Sequence, residues 1–488
     1  MTTKPTIGLN KPLQLGKGHV RSTLDLTNTL SCSKRKPLSL FEWLKKPKYF
    51  YWLNTRDLIL RTGLYTLLAL LLALISLGAS ADSLKESLET LGKTHKTIVA
   101  ADADVAAAKE KVAAAKGDWY PSFDVTANIA NDQKNKASGD PDNTNLVSRN
   151  LEMSLTQKIW DFGSTNSAIK TAKLTLQQAL ATRNSTLQGL LLQGITAYYN
   201  VVRAKKLFDF AEASAANIRT QSELEDARVQ RGSGLSTDVL QAKTQLAGAE
   251  ARVIQARGSL KTALNRYKAV FGYLPSSISD LREPRLPLTL LPISIDDAIN
   301  QVLKNNPDLI SSRIGTEIAQ EAVRKTKADE FMPTFEASAA NNYREDTGGS
   351  FGSSSEQILK LEGTFSFNLG MTAVNTLKAS KLNQLANSNR YRDLKDQTEE
   401  KTRNAWDNLQ TARDNAEQLH NQANIAAEFL ELARRERKLG NRSLIDVLGG
   451  ETALINASSD ATSADTTLAI AIYTLLSIMG EIKPEIFD

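Results

Sequence analysis

The sequence predicts a mainly α-helical fold with a few amphipathic β-strands, in which a unit of helix, strand, strand and long helical hairpin occurs twice. Two turns with the pattern Gly-x5-Asp-Val-Leu begin at Gly232 and Gly440, 208 residues apart. Each is followed by an apolar stripe of helical spacing, and each comes after two short segments in which apolar and polar residues alternate. The same order in the same register indicates a duplicated structural unit.

The stripe after the first turn keeps a strict spacing of three and four residues, and its counterpart 208 residues later keeps it too. Its members are Val239, Ala242, Leu246, Ala249, Val253, Ala256, Leu260, Ala263, Tyr267 and Val270. This spacing is typical of knobs-into-holes packing between long helices. The helix expected between Gly163 and Arg231 would be roughly 100 Å long and would need such neighbours. A fibrous coiled coil also fits the stripe, but the alternating segments argue against it.

Charge separates the N-terminal stretch from the rest of the chain. Twelve Lys/Arg and three Asp/Glu give residues 1–81 a charge of +9, which leaves −3 on the remainder of a chain whose formal charge is +6. The main body is therefore a poor candidate for binding nucleic acid. The only cysteine, Cys32, lies in the same N-terminal stretch. Disulfides, thiolate metal sites and cysteine nucleophiles are thus excluded from the rest of the chain.

An apolar run at 64–77 follows Arg56 and Arg61 and precedes Ala79-Ser80-Ala81. These features predict a secretory signal cleaved after Ala81, with residues 1–81 forming an extended leader and signal peptide. An uncleaved inner-membrane anchor is the alternative, and residues 1–55 are either leader or the product of an early start codon.

The first repeat, residues 82–272, opens with an Ala-rich helix over 84–117. Two segments of period-two alternation follow, which predicts strands, and then the long hairpin. The predicted elements are strands at about 121–130 and 150–160, a helical hairpin at about 163–271 and its tip at 231–238.

A linker rich in proline, residues 273–293, leads into the second repeat, residues 294–480, and a tail at 481–488. The second repeat keeps the order of the first. Its predicted elements are a helix over 295–329, strands at about 334–343 and 358–369, a helical hairpin at about 371–479 and its tip at 439–446.

The strands point to a membrane. Each is about ten residues long with one apolar face, the length that crosses a bilayer at a tilt. Four strands cannot close into a barrel, and hydrocarbon does not tolerate open sheet edges. Sister chains must therefore complete the wall, and the long helices favour three chains around a wide lumen. Four aromatic residues at strand–helix junctions predict a membrane-interface belt, with a small packed core as the alternative. They are Trp119, Tyr120, Trp160 and Phe331.

Over residues 82–488 the chain resembles the TolC-like outer membrane efflux and secretion family. The resemblance rests on the duplicated unit, on Tyr120-Pro121 and Met332-Pro333 at the strand entries, and on the two Gly-x5-Asp-Val-Leu turns. It implies a homotrimer with a 12-stranded outer-membrane β-barrel continued by a periplasmic α-helical barrel. The implied partners are outer membrane lipid, a periplasmic adaptor (membrane fusion protein) and an inner-membrane ABC transporter or proton-driven pump.

The resemblance also implies a gate at the periplasmic tip. Its residues here are Asp238, Arg442 and Asp446. The implied tip turns and adaptor-docking positions are Gly232, Gly234, Leu235, Gly440 and Leu444. Helix capping is the alternative role for the two aspartates. Gly449 and Arg437 depart from the family pattern, at positions where a second acidic ring and an aromatic latch residue can occur.

No pattern of catalysis or cofactor binding is found. The three histidines lie far apart, and the sequence holds no metalloprotease, hydrolase, P-loop or dinucleotide motif. We therefore expect no enzyme, no cofactor and no metal. The predicted function is the outer membrane channel of a tripartite exporter, with type I protein secretion as the leading role. Small-molecule efflux is the alternative, and a coiled-coil envelope scaffold without a pore is the alternative from a different class.

Overall fold

The computed structural model describes residues 84–135, 144–279 and 281–487. The signal segment and Cys32 lie outside these residues. Eight α-helices and four β-strands are found in the described part of the chain. In chain order they are α1 (Leu84–Thr94), α2 (Lys96–Gly117), β1 (Ser122–Lys134), β2 (Thr144–Trp160), α3 (Ser164–Gln230), α4 (Ser236–Phe271), α5 (Ile295–Asn305), α6 (Pro307–Phe331), β3 (Thr334–Glu345), β4 (Ser353–Thr364), α7 (Thr372–Lys438) and α8 (Leu444–Met479).

The two long hairpins repeat each other residue by residue. Helices α3 and α7 both have 67 residues, and α4 and α8 both have 36. All four helix starts and all four ends are related by the offset of 208 that the turns show in the sequence. At 1.5 Å per residue, α3 and α7 are each roughly 100 Å long.

The apolar stripe of α4 faces its neighbours, as does the matching stripe of α8. All ten positions are buried or half-buried in both helices. Ala242 and Ala249 are fully buried against Leu444 and Leu448 of the second hairpin. Alanine at these positions permits the close approach of helices that knobs-into-holes packing needs.

Two ion pairs between the helices of the first hairpin have equivalents of opposite polarity in the second hairpin. In these pairs the long helix carries the acid in the first hairpin and the base in the second. The equivalent pairs are Asp226–Lys243 with Arg434–Glu451, and Glu212–Arg257 with His420–Asp465. Exchanging α4 and α8 between the hairpins would place like charges opposite each other, which disfavours that mispairing.

The main core lies where the short helices pack on the long ones. It contains α1 residues, the middle of α3, and the ends of α4 and α8, with Tyr267 and Tyr473 completely buried. The tail after α8 is fixed there by Gln188 of α3. Its side-chain nitrogen donates to the Ile482 carbonyl at 3.0 Å, and its side-chain oxygen accepts from the Ile482 amide at 3.0 Å. The tail therefore joins the second repeat to the first.

Two helices that the sequence pattern suggests as continuous are each divided. Asn306 is extended (φ −60°, ψ 121°) and its side chain caps α6 by accepting from Leu309 N at 3.0 Å. The cause is Pro307, which disfavours helical geometry in the preceding residue. His95 divides α1 from α2 in the same way, and its ring Nδ1 accepts from Thr97 N.

The strands form one antiparallel sheet in the order β1-β2-β3-β4. Strand β4 begins and ends five residues before the predicted 358–369. Its ladder ends at Thr364 because the partner strand β3 begins at Thr334, directly after Pro333, which has no N–H to donate. Strand β2 begins at Thr144 rather than near 150, since its first residues pair with β1 although the adjacent Leu146 and Val147 break the alternation.

The sheet has one apolar and one polar face, and within the described residues the outer edges of β1 and β4 are unpaired. Residues directly opposite each other share a face. One row of the apolar face consists of Phe123, Leu155, Ala339 and Leu359. One row of the polar face consists of Thr126, Glu152, Asn342 and Glu356. Leu359 is 88% exposed and Phe123 66%, so the chain itself leaves this apolar face uncovered.

Among the described helices, α8 is long and apolar enough to cross a membrane by length and composition, and 50% of that window is buried inside the chain. The burial, and the packing of α8 against α3 and α7, are those of a core helix. The exposed apolar surface of the sheet is the stronger membrane signal.

The residues that begin α3 and α7 allow a matched stability test. Gly163 and Met371 occupy equivalent N-cap positions and both are left-handed, with φ of 93° and 61°. Side chains with a Cβ lose about 1–2 kcal/mol in this conformation. We expect Met371→Gly to raise the apparent unfolding temperature and Gly163→Ala to lower it, measured by thermal unfolding of the purified protein. A lower value for both variants would contradict this.

Candidate functional site at the hairpin tips

The two turns at the hairpin tips have the same backbone design. Gly232 and Gly440 are both left-handed, with φ of 74° and 83°. In each turn the glycine N–H donates three residues back, to Val229 O at 2.9 Å and to Arg437 O at 3.0 Å. Glycine is favoured at this position because a Cβ would be strained there.

The turns differ at the next equivalent position. Gly234 in the first turn corresponds to Arg442 in the second. A Cβ on Gly234 would lie 2.9 Å from Val229 Cγ2 and 3.1 Å from Val229 N. The first turn therefore excludes a side chain where the second presents a guanidinium group.

Asp238 and Asp446 both lie in the first turn of their helices. The helix macrodipole stabilises a carboxylate there. The Asp446 N–H donates to Ser443 Oγ at 3.2 Å, whereas the Asp238 N–H donates to the backbone oxygen of Leu235 at 3.0 Å. Helix α8 thus has an N-terminal side-chain cap that α4 lacks.

Arg442 contacts three side chains of its own repeat. Its Nε donates to Glu436 Oε2 at 2.8 Å, its Nη1 lies 3.8 Å from Asp446 Oδ2, and its Cζ lies 5.6 Å from the centre of the Phe429 ring. The structure therefore brings Arg442 and Asp446 together. Asp238 forms no ion pair within the described part of the chain.

A buried carboxylate joins the two tips directly. Glu225 of α3 is 4% exposed, and Arg437 at the end of α7 donates from Nη2 to its Oε1 at 2.6 Å. Arg228 donates to the same oxygen at 2.8 Å. Arg437 also donates from Nη1 to the carbonyl of Arg442 at 3.2 Å. One arginine therefore links the first hairpin to the turn that carries Arg442.

This bridge was not among the predicted site residues. The sequence showed Arg437 only as a departure from the family pattern, and Glu225 was one of many helical acids. The sequence did show Arg437 as a cation close to a tip, and a cation that is buried there needs an acidic partner. The partner lies 212 residues away and is identified only in the structure, where the end of the second hairpin meets α3.

The first tip contains a cavity of about 650 Å³. Glu225, Arg228, Gly232, Ser233, Gly234, Leu235, Asp238 and Arg437 line it. Asp238 therefore faces the same space as Arg437, although the two are not paired. Of the predicted docking positions, Leu235 is 65% exposed and Leu444 is 2% exposed, so only the first presents its side chain at the surface.

The predicted interface aromatics lie at the other end of the hairpins. Tyr120 and Trp160 are 73% and 56% exposed, whereas Trp119 donates from Nε1 to Asn166 Oδ1 at 3.2 Å. Phe331 lies 6.4 Å, centre to centre, from Phe367. Trp160, although exposed, also contacts the Phe162 ring at 6.0 Å, centre to centre.

Asp161 fixes the junction between β2 and α3. It accepts from Thr165 N at 2.7 Å and from Gly163 N at 3.1 Å. Burial opposes ionisation of its carboxyl group, but the hydrogen bonds from Thr165 and Gly163 and the charge of Lys158 outweigh it, so the pKa is lowered. A charged Asp161 therefore stabilises the start of the long helix at neutral pH.

The sequence model of one protein family, described as Outer membrane efflux protein, matches residues 88–272 and 298–481. These two matches coincide with the two repeats. The chain belongs to the outer membrane efflux protein family. Among the described residues, no group of three or more metal-ligating side chains is found that fits a metal ion.

Three relatives illustrate the range of this family. The outer membrane efflux protein BepC of Brucella suis is 25% identical over 335 residues, which is 68% of this chain and 72% of BepC. The outer membrane protein TolC of Escherichia coli is 23% identical over 361 residues, 70% of this chain and 71% of TolC. The alkaline protease secretion protein AprF of Pseudomonas aeruginosa is 31% identical over 149 residues, 30% of this chain and 31% of AprF.

Solved structures share the fold. The outer membrane protein VceC of Vibrio cholerae superposes with a TM-score of 0.69 at 17% identity, covering 81% of this chain and 96% of VceC. The outer-membrane channel OprN superposes with a TM-score of 0.71 at 19% identity, covering 82% of this chain and 90% of OprN. The mainly helical chain with a four-stranded sheet is thus the fold of outer membrane channels of this family.

Proposed function

We propose that this chain is the outer membrane channel-tunnel of a tripartite exporter, which conducts cargo passively from a pump–adaptor complex to the outside. One observation carries the proposal. An open four-stranded sheet, with an exposed apolar face and a polar face behind it, continues directly into two hairpins whose longer helices are each roughly 100 Å long. A scaffold without a pore has no need of such a sheet.

Assembly follows from the sheet edges. Strands β1 and β4 each pair on one side only within the described residues. Three chains would give twelve strands, enough for a closed barrel, and closure removes the edges that lipid does not tolerate. The apolar face would meet lipid and the polar face would line the lumen. The helical hairpins would then continue the lumen into the periplasm.

The hairpin tips are the proposed gate. Arg437 and Glu225 hold the two tips of one chain together, and Arg442 and Asp446 lie at the end of the second hairpin. Asp238 is free to meet a cation from a neighbouring chain, which is the role the family pattern assigns to it. The exposed Leu235 and the two glycine turns are the proposed docking positions for the adaptor.

The cargo class is proposed on the relatives. The name of AprF links it to secretion of a protease, and the name of BepC links it to efflux. We favour type I protein secretion, in which an ABC transporter supplies the energy. Small-molecule efflux with a proton-driven pump is the second candidate, supported by the longer alignment to BepC.

Conductance of the purified full-length protein in planar bilayers tests the channel. We expect discrete ion-conducting steps from trimers and no conductance from dissociated chains. A protein that stays in the outer membrane fraction, forms trimers and never conducts would be a scaffold, and the proposal would be wrong.

The gate role of Arg442 and Asp446 is tested in the same bilayers. We expect Arg442→Ala and Asp446→Ala each to raise single-channel conductance while the trimer stays intact. The exposed pair Arg403–Glu399 of α7 provides the control, since its loss changes the free energy of folding by about 1 kcal/mol or less. If Arg442→Ala conducts like Arg403→Ala, Arg442 has no role as a latch.

A further inference from the structure

A second cavity, of about 820 Å³, lies between α3, α4 and α8 and is lined by three arginines. Arg203 comes from α3, and Arg252 and Arg266 come from α4. Side chains of α8, among them Asn456 and Ser459, complete the lining. None of the described residues that line this cavity is an aspartate or a glutamate. Its lining begins at Ile455, nine residues beyond Asp446 on α8, and at Arg252, 14 residues beyond Asp238 on α4, which is roughly 15 to 20 Å from the gate along these helices.

The positive charges in this cavity lack counter-charges. Within the described residues, neither Arg203 nor Arg252 forms an ion pair, and Nε and Nη2 of Arg252 are buried without a hydrogen-bond partner. Arg266 donates only to Gln193 Oε1, at 3.4 Å. By contrast, Arg257 on the same helix but outside the cavity has an acidic partner, Glu212, at 3.9 Å.

Unpaired guanidinium groups around one cavity favour the binding of an anion. An arginine cannot lose its proton to relieve burial, so an unpaired buried guanidinium destabilises the fold unless an acceptor satisfies it. Its planar fork of donors matches the oxygens of phosphate and carboxylate groups. The amide of Asn456 and the hydroxyl of Ser459 add neutral polar groups on the facing helix.

We propose that this cavity binds a multivalent oxyanion of the phosphate or polycarboxylate class, held by Arg203, Arg252 and Arg266. The proposal does not rest on channel function, because it concerns the charge balance of one helix interface. A carboxylate of a sister chain is another source of the same chemistry. It would occupy the cavity permanently and leave no room for a free anion, so a binding measurement on the assembled protein distinguishes the two.

Calorimetric titration of the full-length protein in detergent with inorganic phosphate, at constant ionic strength, provides the test. We expect saturable binding to the wild type and about tenfold weaker binding to Arg252→Gln, the effect of losing one charge-assisted hydrogen bond. Lys261→Gln removes the same charge from an exposed position of the same helix, outside the cavity, and should leave binding unchanged. Citrate serves as the polycarboxylate probe. Absence of binding by both anions, or equal weakening by the two variants, would overturn the proposal.

Thermal unfolding of the same proteins gives a second, independent readout. Without oxyanion, Arg252→Gln should unfold at a temperature no lower than the wild type, because it removes an unpaired charge whose Nε and Nη2 are buried without a hydrogen-bond partner. Added phosphate should raise the unfolding temperature of the wild type and of Lys261→Gln, but not of Arg252→Gln. If Arg252→Gln unfolds at a lower temperature with and without phosphate, the guanidinium has a purely structural role and no anion site exists.

Discussion

Glu225→Gln is expected to open the closed channel more than any other single change at the tip. The substitution removes the negative charge that holds Arg437 and Arg228 and leaves two guanidinium groups facing each other. Loss of one partner of a buried pair costs about 3–5 kcal/mol. Because Arg437 is partly exposed, the lower end of this range applies. Destabilising the closed arrangement by about 3 kcal/mol shifts the ratio of open to closed channels by more than 100-fold. Single-channel conductance in planar bilayers measures it.

A matched control lies on the same hairpin. Glu250 of α4 pairs with Arg219 of α3 at 2.7 Å, but both side chains are about half exposed. Glu250→Gln should therefore leave conductance unchanged, since exposed pairs contribute about 1 kcal/mol or less. Arg437→Ala should open the channel less than Glu225→Gln does, because Arg228 still neutralises the carboxylate. If the effect of the variant carrying both substitutions equals the sum of the two single effects, the two residues act separately and the bridge is not a unit.

The long hairpins could be predicted from the sequence because their signals are local. A stripe of three and four spacing and a glycine in a left-handed turn each determine structure within a few residues. Gly232 and Gly440 both lie in the turns that join the paired helices. The duplication strengthens each signal, since the pattern at every helix end occurs twice, 208 residues apart.

Strand limits were predicted less well because they depend on partners. Thr144 begins β2 although its neighbours are polar, since pairing with β1 extends the ladder. Phe365 and Phe367 alternate like strand residues, yet β3 offers no backbone beyond Thr334 to pair with them. Alternation reports which face a side chain takes and does not report where the hydrogen bonds end.

The contacts of the candidate site also differ in this respect, because some are set by nearby sequence and others depend on distant partners. Arg442 and Asp446 are four residues apart across the start of α8, so the local turn brings them together. Glu225 and Arg437 are far apart in sequence, and only the contact between hairpins joins them. The arginines of the second cavity are similar, because their lack of partners is a property of three packed helices. Sequence patterns reveal charges but do not reveal which charges remain unpaired.

Two neighbouring residues of β4 decide whether the sheet faces lipid. Leu359 belongs to the apolar face and is 88% exposed in the chain, whereas Ile358 points to the polar face. We expect Leu359→Arg to abolish assembly in the outer membrane, because an arginine near the bilayer midplane costs about 2–4 kcal/mol on the lipid face of a barrel. In the proposed trimer the cost applies in each of the three chains. Ile358→Arg introduces the same side chain one position away, on the polar face that would line the proposed lumen, and should assemble normally.

The measurement is the amount of trimer in outer membrane fractions, resolved by gel electrophoresis without heating. A large loss for Leu359→Arg with little loss for Ile358→Arg supports a transmembrane barrel, since only a lipid environment distinguishes the two faces so strongly. In a scaffold whose sheet lies in water, both arginines would be solvated and both variants would accumulate equally. Equal accumulation would therefore remove the physical basis for the channel, because an exposed apolar face that accepts a charge without cost is not in contact with hydrocarbon.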